Sequence, residues 1–204
     1  DYETQSSYSV RIRTTDQGGL FFEKAFTITI TDVGESTILN GGFEQGHVAW
    51  TEYSSTGWDI INPASAAGIP AHSGDWLAWF GGGDNEISRL TQAFFVPASA
   101  SVLHYWYWSF SEDYCGYDFF NIKVNGGTLF TRDLCYENDT GGWVEAMLNL
   151  SAYANTTITL MFEVTTDISG VSILYLDDVS MSSTLQTLPD VAMPGGVNVA
   201  AARK

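Results

Sequence analysis

Along the 204 residues, apolar and polar positions alternate with a period of two in short segments, and helical periodicity is nearly absent. The clearest runs are Tyr8-Val10-Ile12, Phe26-Ile28-Ile30, Leu103-Tyr105-Tyr107, Phe120-Ile122-Val124 and Ile158-Leu160-Phe162-Val164, separated by clusters of Gly, Asn, Asp and Ser. Alternation sends successive side chains to opposite faces, so each run reads as a strand with one buried face. Many short strands with turn signals between them predict an all-β sandwich. The pattern falls into three stretches. Residues 1–34 hold two alternating strands joined by Asp16-Gln17-Gly18-Gly19, residues 35–183 read as one sandwich domain, and residues 184–204, with Pro189, Pro194, Gly195 and Gly196, read as an extended tail or linker. A two-stranded ribbon is marginal alone, so the first stretch is expected to pair with something else.

Within the middle stretch, Phe119 to Val124 and Thr128 to Leu134 flank Asn125-Gly126-Gly127, and Asn-Gly supplies the positive φ angles of a tight hairpin turn. The two cysteines, Cys115 and Cys135, lie at nearly equal distances from that turn and should face each other. A disulfide is expected, which implies an oxidising, extracellular compartment; two buried thiols are the alternative. The sequons at Asn138, Asn149 and Asn155 fit secretion but arise easily in a Thr-rich chain.

Composition narrows the partners. The chain carries 24 acids against 8 bases, with a net charge of −16, and between residues 35 and 183 its bases are Arg89, Lys123 and Arg132. Phosphate backbones and anionic lipid need clustered Lys and Arg, so nucleic acid is excluded as a partner. No apolar run approaches the roughly 20 residues of a spanning helix, and no signal-type segment opens the chain, so membrane insertion is not expected and the sequence reads as excised from something longer.

The densest aromatic stretch is His104-Tyr105-Trp106-Tyr107-Trp108-Ser109-Phe110. As a strand it directs Leu103, Tyr105 and Tyr107 one way and His104, Trp106, Trp108 and Phe110 the other, and only one of these faces can be the core of a two-sheet sandwich. Aromatic faces stack on sugar C–H surfaces while carboxylates and amides bond hydroxyls, so Trp106 and Trp108, with Tyr117 and Asn121 beside them, are candidate glycan-binding residues. The alternative is that loops around Trp76, Trp79 and Phe80 cover the rings. Catalysis finds no support. Glu112 and Asp113 are adjacent and point apart in a strand, the three histidines are isolated, and neither His-Glu-x-x-His nor Gly-x-Ser-x-Gly occurs.

Two family resemblances refine this picture. Asp1-Tyr2-Glu3, Tyr8-x-Val10-x-Ile12, Asp16-x-Gly18 and Phe26-x-Ile28-x-Ile30-x-Asp32-Val33 resemble the last two strands of a cadherin repeat. The resemblance implies Glu3 and Asp32 as ligands of an inter-domain calcium, although Gly34-Glu35 stands where the family has Asn-Asp. Leu39-Asn40-Gly41-Gly42-Phe43-Glu44, Ala71-His72-Ser73-Gly74-Asp75-Trp76, Leu90-Thr91-Gln92, Trp143 to Ala154 and Tyr175-Leu176-Asp177-Asp178-Val179 resemble the jelly rolls of carbohydrate-binding modules and MAM-type adhesion domains. That likeness implies a structural calcium tying the first strand to the last. Its ligands would be Glu44, the Ser73 and Asp75 region, Asp177 or Asp178, and an oxygen near Asn40 or Gly42; otherwise Asp177 and Asp178 cap a turn. The expected protein is a non-catalytic, calcium-stabilised extracellular module that binds glycan or mediates adhesion. The competing expectation is a subunit of a surface filament or layer, in which neighbouring copies exchange β-strands.

Overall fold

The computed structural model describes residue 5, residues 7–29 and residues 38–182. Glu3, Asp32 and the 184–204 tail lie outside the described residues. The chain divides into two compact units, Asp1–Glu35 and Ser36–Lys204.

In the first unit, strands β1 (Ser7–Thr15) and β2 (Phe21–Thr29) form an antiparallel hairpin running from Ser7 opposite Thr29 to Thr15 opposite Phe21. Asp16 closes the turn, its Oδ1 accepting the Leu20 backbone N–H at 2.9 Å and its carbonyl that of Gly19 at 3.1 Å. The register gathers Tyr8, Val10, Ile12, Phe26 and Ile28 on one face, all exposed. The opposite face carries Arg11 and Arg13, paired with Glu23 at 3.7 and 3.8 Å.

The second unit is a jelly-roll sandwich. Its strands are β3 (Thr51–Ser54), β4 (Ile61–Pro63), β5 (Trp76–Gly81), β6 (Ile87–Val96), β7 (Val102–Ser111), β8 (Phe119–Val124), β9 (Gly127–Asp133), β10 (Val144–Asn149), β11 (Thr156–Thr165) and β12 (Ser172–Ser182). They form two five-stranded sheets ordered β10-β7-β12-β5-β4 and β3-β6-β11-β8-β9, antiparallel throughout. A single turn of α-helix, α1 (Ala64–Ala67), follows β4.

Alternation in the sequence becomes layering here. Phe80, Leu90, Tyr105, Phe120, Phe162 and Leu174 point between the sheets and are almost fully buried. Phe120 stacks on Phe162 at 6.3 Å, and Tyr105 meets both rings edge-on at 6.3 and 5.8 Å. Burying each such side chain contributes about 1.5–3 kcal/mol. Between β8 and β9, Asn125 and Gly126 both take positive φ, 52° and 83°, as a two-residue hairpin turn requires. Cys115 and Cys135 are disulfide-bonded with their Cα atoms 4.8 Å apart.

Candidate functional site

At one edge of the sandwich, the loop between β3 and β4 and the glycines ending β5 enclose a cleft of about 560 Å³. Trp58, Asp59, Asn62 and Trp79 line it, with Glu86 and Ser88 at its base. Trp58 is 54% exposed, and its ring lies against Gly83, where a Cβ would come within 3.5 Å of the indole.

An exposed indole is useful only if its backbone is fixed, and two carboxylates fix this one. Glu86, 1% exposed, accepts the hydroxyls of Ser54 at 2.6 Å, of Ser88 at 3.1 Å and of Thr56. Ser54 Oγ in turn accepts the backbone N–H groups of Thr56 and Trp58 at 3.2 and 3.1 Å. On the other flank, Glu52 Oε2 accepts the N–H groups of Ile60 and Ile61 at 2.7 and 2.9 Å, while Oε1 pairs with His47 at 2.6 Å. Hydrogen bonds to charged acceptors are the stronger kind, so the Trp58 loop is braced from both ends. The Asn62 amide donates to the Asp59 carbonyl at 2.7 Å. Sequence reasoning passed over Trp58 and Asp59; the available signal was a large aromatic directly after the small and polar run Ser54-Ser55-Thr56-Gly57.

The aromatic strand divides as its alternation predicts. Leu103, Tyr105 and Tyr107 enter the core, while His104, Trp106, Trp108 and Phe110 face outward from the β10-β7-β12-β5-β4 sheet. His72 stacks on Trp106 at 3.8 Å and 14°, and Trp108 meets Trp143 and Tyr175 edge-on at 6.2 and 6.5 Å. Trp143 donates its indole N–H to the Pro70 carbonyl at 3.0 Å. The loop before β5, not Trp76 or Phe80, therefore lies over Trp106, and Trp79 joins the same outer face through Tyr175 at 5.9 Å. Tyr117 and Asn121 do not lie beside these tryptophans. Asn121 alternates with buried Phe120 and Ile122 on β8, so it faces outward from the other sheet, where its Oδ1 accepts the Thr131 hydroxyl at 2.8 Å. The two outer faces are separated by the whole sandwich, because β7 and β8 are consecutive in sequence but belong to different sheets. Tyr117 is exposed in the loop that crosses between them.

The expected calcium residues are brought together around the loop 71–76. Glu44 Oε1 accepts the N–H groups of Asp75 and Trp76, both at 2.9 Å. Asp177 Oδ2 accepts those of His72 and Ser73 at 2.9 and 3.1 Å. Asp178, at φ 48° in a bulge of β12, accepts Ser73 Oγ at 2.7 Å and contacts His72 Nδ1 at 2.6 Å. A side chain at Gly74 would place its Cβ 2.2 Å from Glu44 Oε1, so the carboxylate reaches across the loop only because residue 74 is glycine. Burial, with the Asp178 charge beside it, pushes the Asp177 carboxyl up to about 7 against three backbone N–H bonds. Asn40 behaves differently. Its amide donates to the Gly46 and Val48 carbonyls at 2.9 and 3.0 Å and its Oδ1 accepts Gln45 N–H, so it ties its own loop. Asp75 contributes its backbone, and its side chain is exposed. The donor chemistry, acidic oxygens at glycine-rich turns, fits a hard cation. The carboxylates of Glu44, Asp177 and Asp178 are nevertheless not drawn within 4.8 Å of one another as a group, and each already accepts protein donors.

Fold and site together define a jelly-roll β-sandwich with an aromatic cleft at its edge. Among solved structures, the chain is similar to TmCBM61 in complex with β-1,4-galactotriose, with a TM-score of 0.54 and 17% identity, over 74% of this chain and 100% of that one. It is also similar to the K3 cleaved adhesin domain of Lys-gingipain from Porphyromonas gingivalis w83, with a TM-score of 0.52 and 16% identity, over 72% and 99% of the two chains. Identities this low speak for the shared fold. No family model matches the chain. Among curated proteins, it is 30% identical to the pre-pro-metalloprotease PrtV of Vibrio cholerae serotype O1 over 61% of this chain. It spans only 15% of that protein's length. The cadherin resemblance of residues 1–34 is carried by sequence pattern alone.

Proposed function

We propose that the sandwich is a non-catalytic, extracellular carbohydrate-binding module that takes a glycan in the Trp58–Trp79 cleft. The observation that carries this reading is Trp58 itself: a largely exposed indole whose backbone is anchored by two carboxylates beside a cleft of ligand size. A solvent-facing ring held this firmly costs little ordering entropy when a sugar stacks on it. Asp59 and the free Oδ1 side of the Asn62 amide supply acceptors for hydroxyls. Trp106 and Trp108, held under His72 and against Trp143, support the face next to the cleft instead of contacting the ligand. In this reading Glu44 and either Asp177 or Asp178 hold a calcium that locks the loop 71–76 to the first and last segments of the sandwich, and the disulfide fits the oxidising compartment in which such a module works. The module is an appendage of a longer polypeptide, in keeping with the small share of PrtV that it matches.

The test is a glycan array that includes β-1,4-linked galactooligosaccharides, followed by calorimetry on the best ligand. Trp58→Ala should weaken binding about tenfold, the worth of one aromatic stacking contact, with the melting curve unchanged. Trp108→Ala should lower stability more than affinity. Full affinity in Trp58→Ala would refute the cleft.

A further inference from the structure

Where the loop 112–118 meets the loop 166–171, three carboxylates converge that neither the cleft nor the Glu44 and Asp177 loops employ. We propose that Asp113, Asp118 and Asp167 form a second, independent site for a divalent cation of the calcium type. One oxygen from each lies within 4.8 Å of the others. Asp118 is 0% and Asp113 6% exposed, while Asp167 is half-buried and leaves a way in.

Their hydrogen bonding follows a common scheme. Asp113 Oδ1 accepts the Tyr114 N–H at 2.7 Å, Asp118 Oδ1 accepts that of Asp167 at 2.7 Å, and Asp167 Oδ1 accepts that of Ser169 at 2.8 Å. Each carboxylate is thus oriented by the backbone through one oxygen. The second oxygens of Asp113 and Asp118 are buried without a hydrogen-bond partner. Ser172 lies beside Asp118, but its hydroxyl bonds run to Ser111 Oγ at 2.7 Å and the Leu134 carbonyl at 3.4 Å. None of the three carboxylates forms an ion pair with Lys, Arg or His among the described residues. Buried acceptors in native proteins find partners, and adjacent buried carboxylates repel, so this arrangement lacks a positive centre.

The surroundings hold the carboxylates in place. Gly170 stands at φ 72°, where a Cβ would fall 2.7 Å from Asp113 Cβ, so the two loops close on each other only with glycine there. Leu134 and Tyr136 donate their N–H groups to the Asp118 and Asp113 carbonyls at 2.9 and 3.0 Å, and the Cys115–Cys135 disulfide ties the same two segments. The ligand set is all oxygen, which selects a hard cation, and calcium tolerates irregular shells of six to eight oxygens where magnesium demands an octahedron.

The experiment is calcium titration of the chelator-stripped full chain, by calorimetry and by thermal melting. Asp118→Asn and Asp113→Asn should each remove one bound calcium per chain. Outer-sphere partners alone are worth 10–100-fold, so loss of a direct ligand should weaken this site by at least about 100-fold. Glu44→Gln should leave it unchanged, which separates it from the Glu44 and Asp177 loops. In chelator Asp118→Asn should melt no lower than its parent, because Asn keeps the shape and removes a desolvated charge, yet its calcium-induced rise should shrink. Should Asp118→Asn fail to fold, Asp167→Asn, at the half-exposed position, decides by the same readouts. A parent that binds no calcium at millimolar concentration, or Asp113→Asn and Asp167→Asn variants with the parent's stoichiometry and calcium response, would overturn the proposal.

Discussion

Glu163 on β11 is 4% exposed yet charged, and it survives there because two cations reach it from neighbouring strands: Arg89 Nε at 2.7 Å from β6 and Lys123 Nζ at 2.6 Å from β8. Burial alone would raise its carboxyl, but Lys123 and Arg89 outweigh burial and hold it below the usual range. A lowered acid stabilises the fold fully above its unfolded value, near 4.5, and loses that contribution as pH falls through the folded value. Glu163→Gln should therefore cost about 1–2 kcal/mol in urea unfolding at neutral pH, because Arg89 and Lys123 remain partly solvated, and the difference from the parent should narrow near pH 3. A difference independent of pH would mean that shape, not charge, matters at this position. The triad was invisible in the sequence, since three residues spaced over 74 positions become neighbours only through strand pairing.

Among the elements, the β8–β9 hairpin was the most legible, because its turn chemistry is local. Asn125-Gly126 fixed the turn, alternation assigned Phe120, Ile122 and Val124 to the core, and equal arm lengths brought Cys115 and Cys135 together. A cross-link over a separation of 20 residues should stabilise by roughly 3 kcal/mol through the unfolded chain. Replacing both cysteines by serine should lower the denaturant-extrapolated stability by that amount, and alkylation without reductant should leave the parent's mass unchanged. Two labelled thiols, or a double variant as stable as its parent, would contradict this. β7 was legible in its faces and not in its surroundings: alternation showed that Trp106 and Trp108 leave the core, while the stacking of His72 on Trp106 depends on a loop 30 and more residues earlier in the chain.

At the scale of the molecule, the chain joins a well-packed sandwich to a hairpin with few buried groups. The five apolar side chains on one face of β1 and β2 are 41–53% exposed, and a ribbon of two strands has too little core to be stable by itself. The reading in which neighbouring copies complete this ribbon rests on that exposed face. It makes a definite prediction: light scattering should show association of the full chain that disappears when residues 1–35 are deleted, while the remaining sandwich melts cooperatively at the parent's temperature. A full chain that stays monomeric at high concentration would remove the assembly reading and leave the sandwich as the functional unit.

What the sequence determined alone is what depends on neighbours along the chain. Period-two alternation fixed the all-β class, and glycine and asparagine fixed the turns. The tertiary structure decided which strands share a sheet, and with that every feature assembled from distant segments. It put Asn121 and Trp106 on opposite faces, anchored the backbone around Trp58 through Glu86 and Glu52, and drew Asp113, Asp118 and Asp167 together across 54 positions. In this jelly roll, most consecutive strands lie in different sheets, the β4–β5 and β8–β9 pairs excepted, and most contacts join residues far apart in sequence. Local pattern therefore specifies each strand's two faces, and only the closed sandwich specifies what those faces meet.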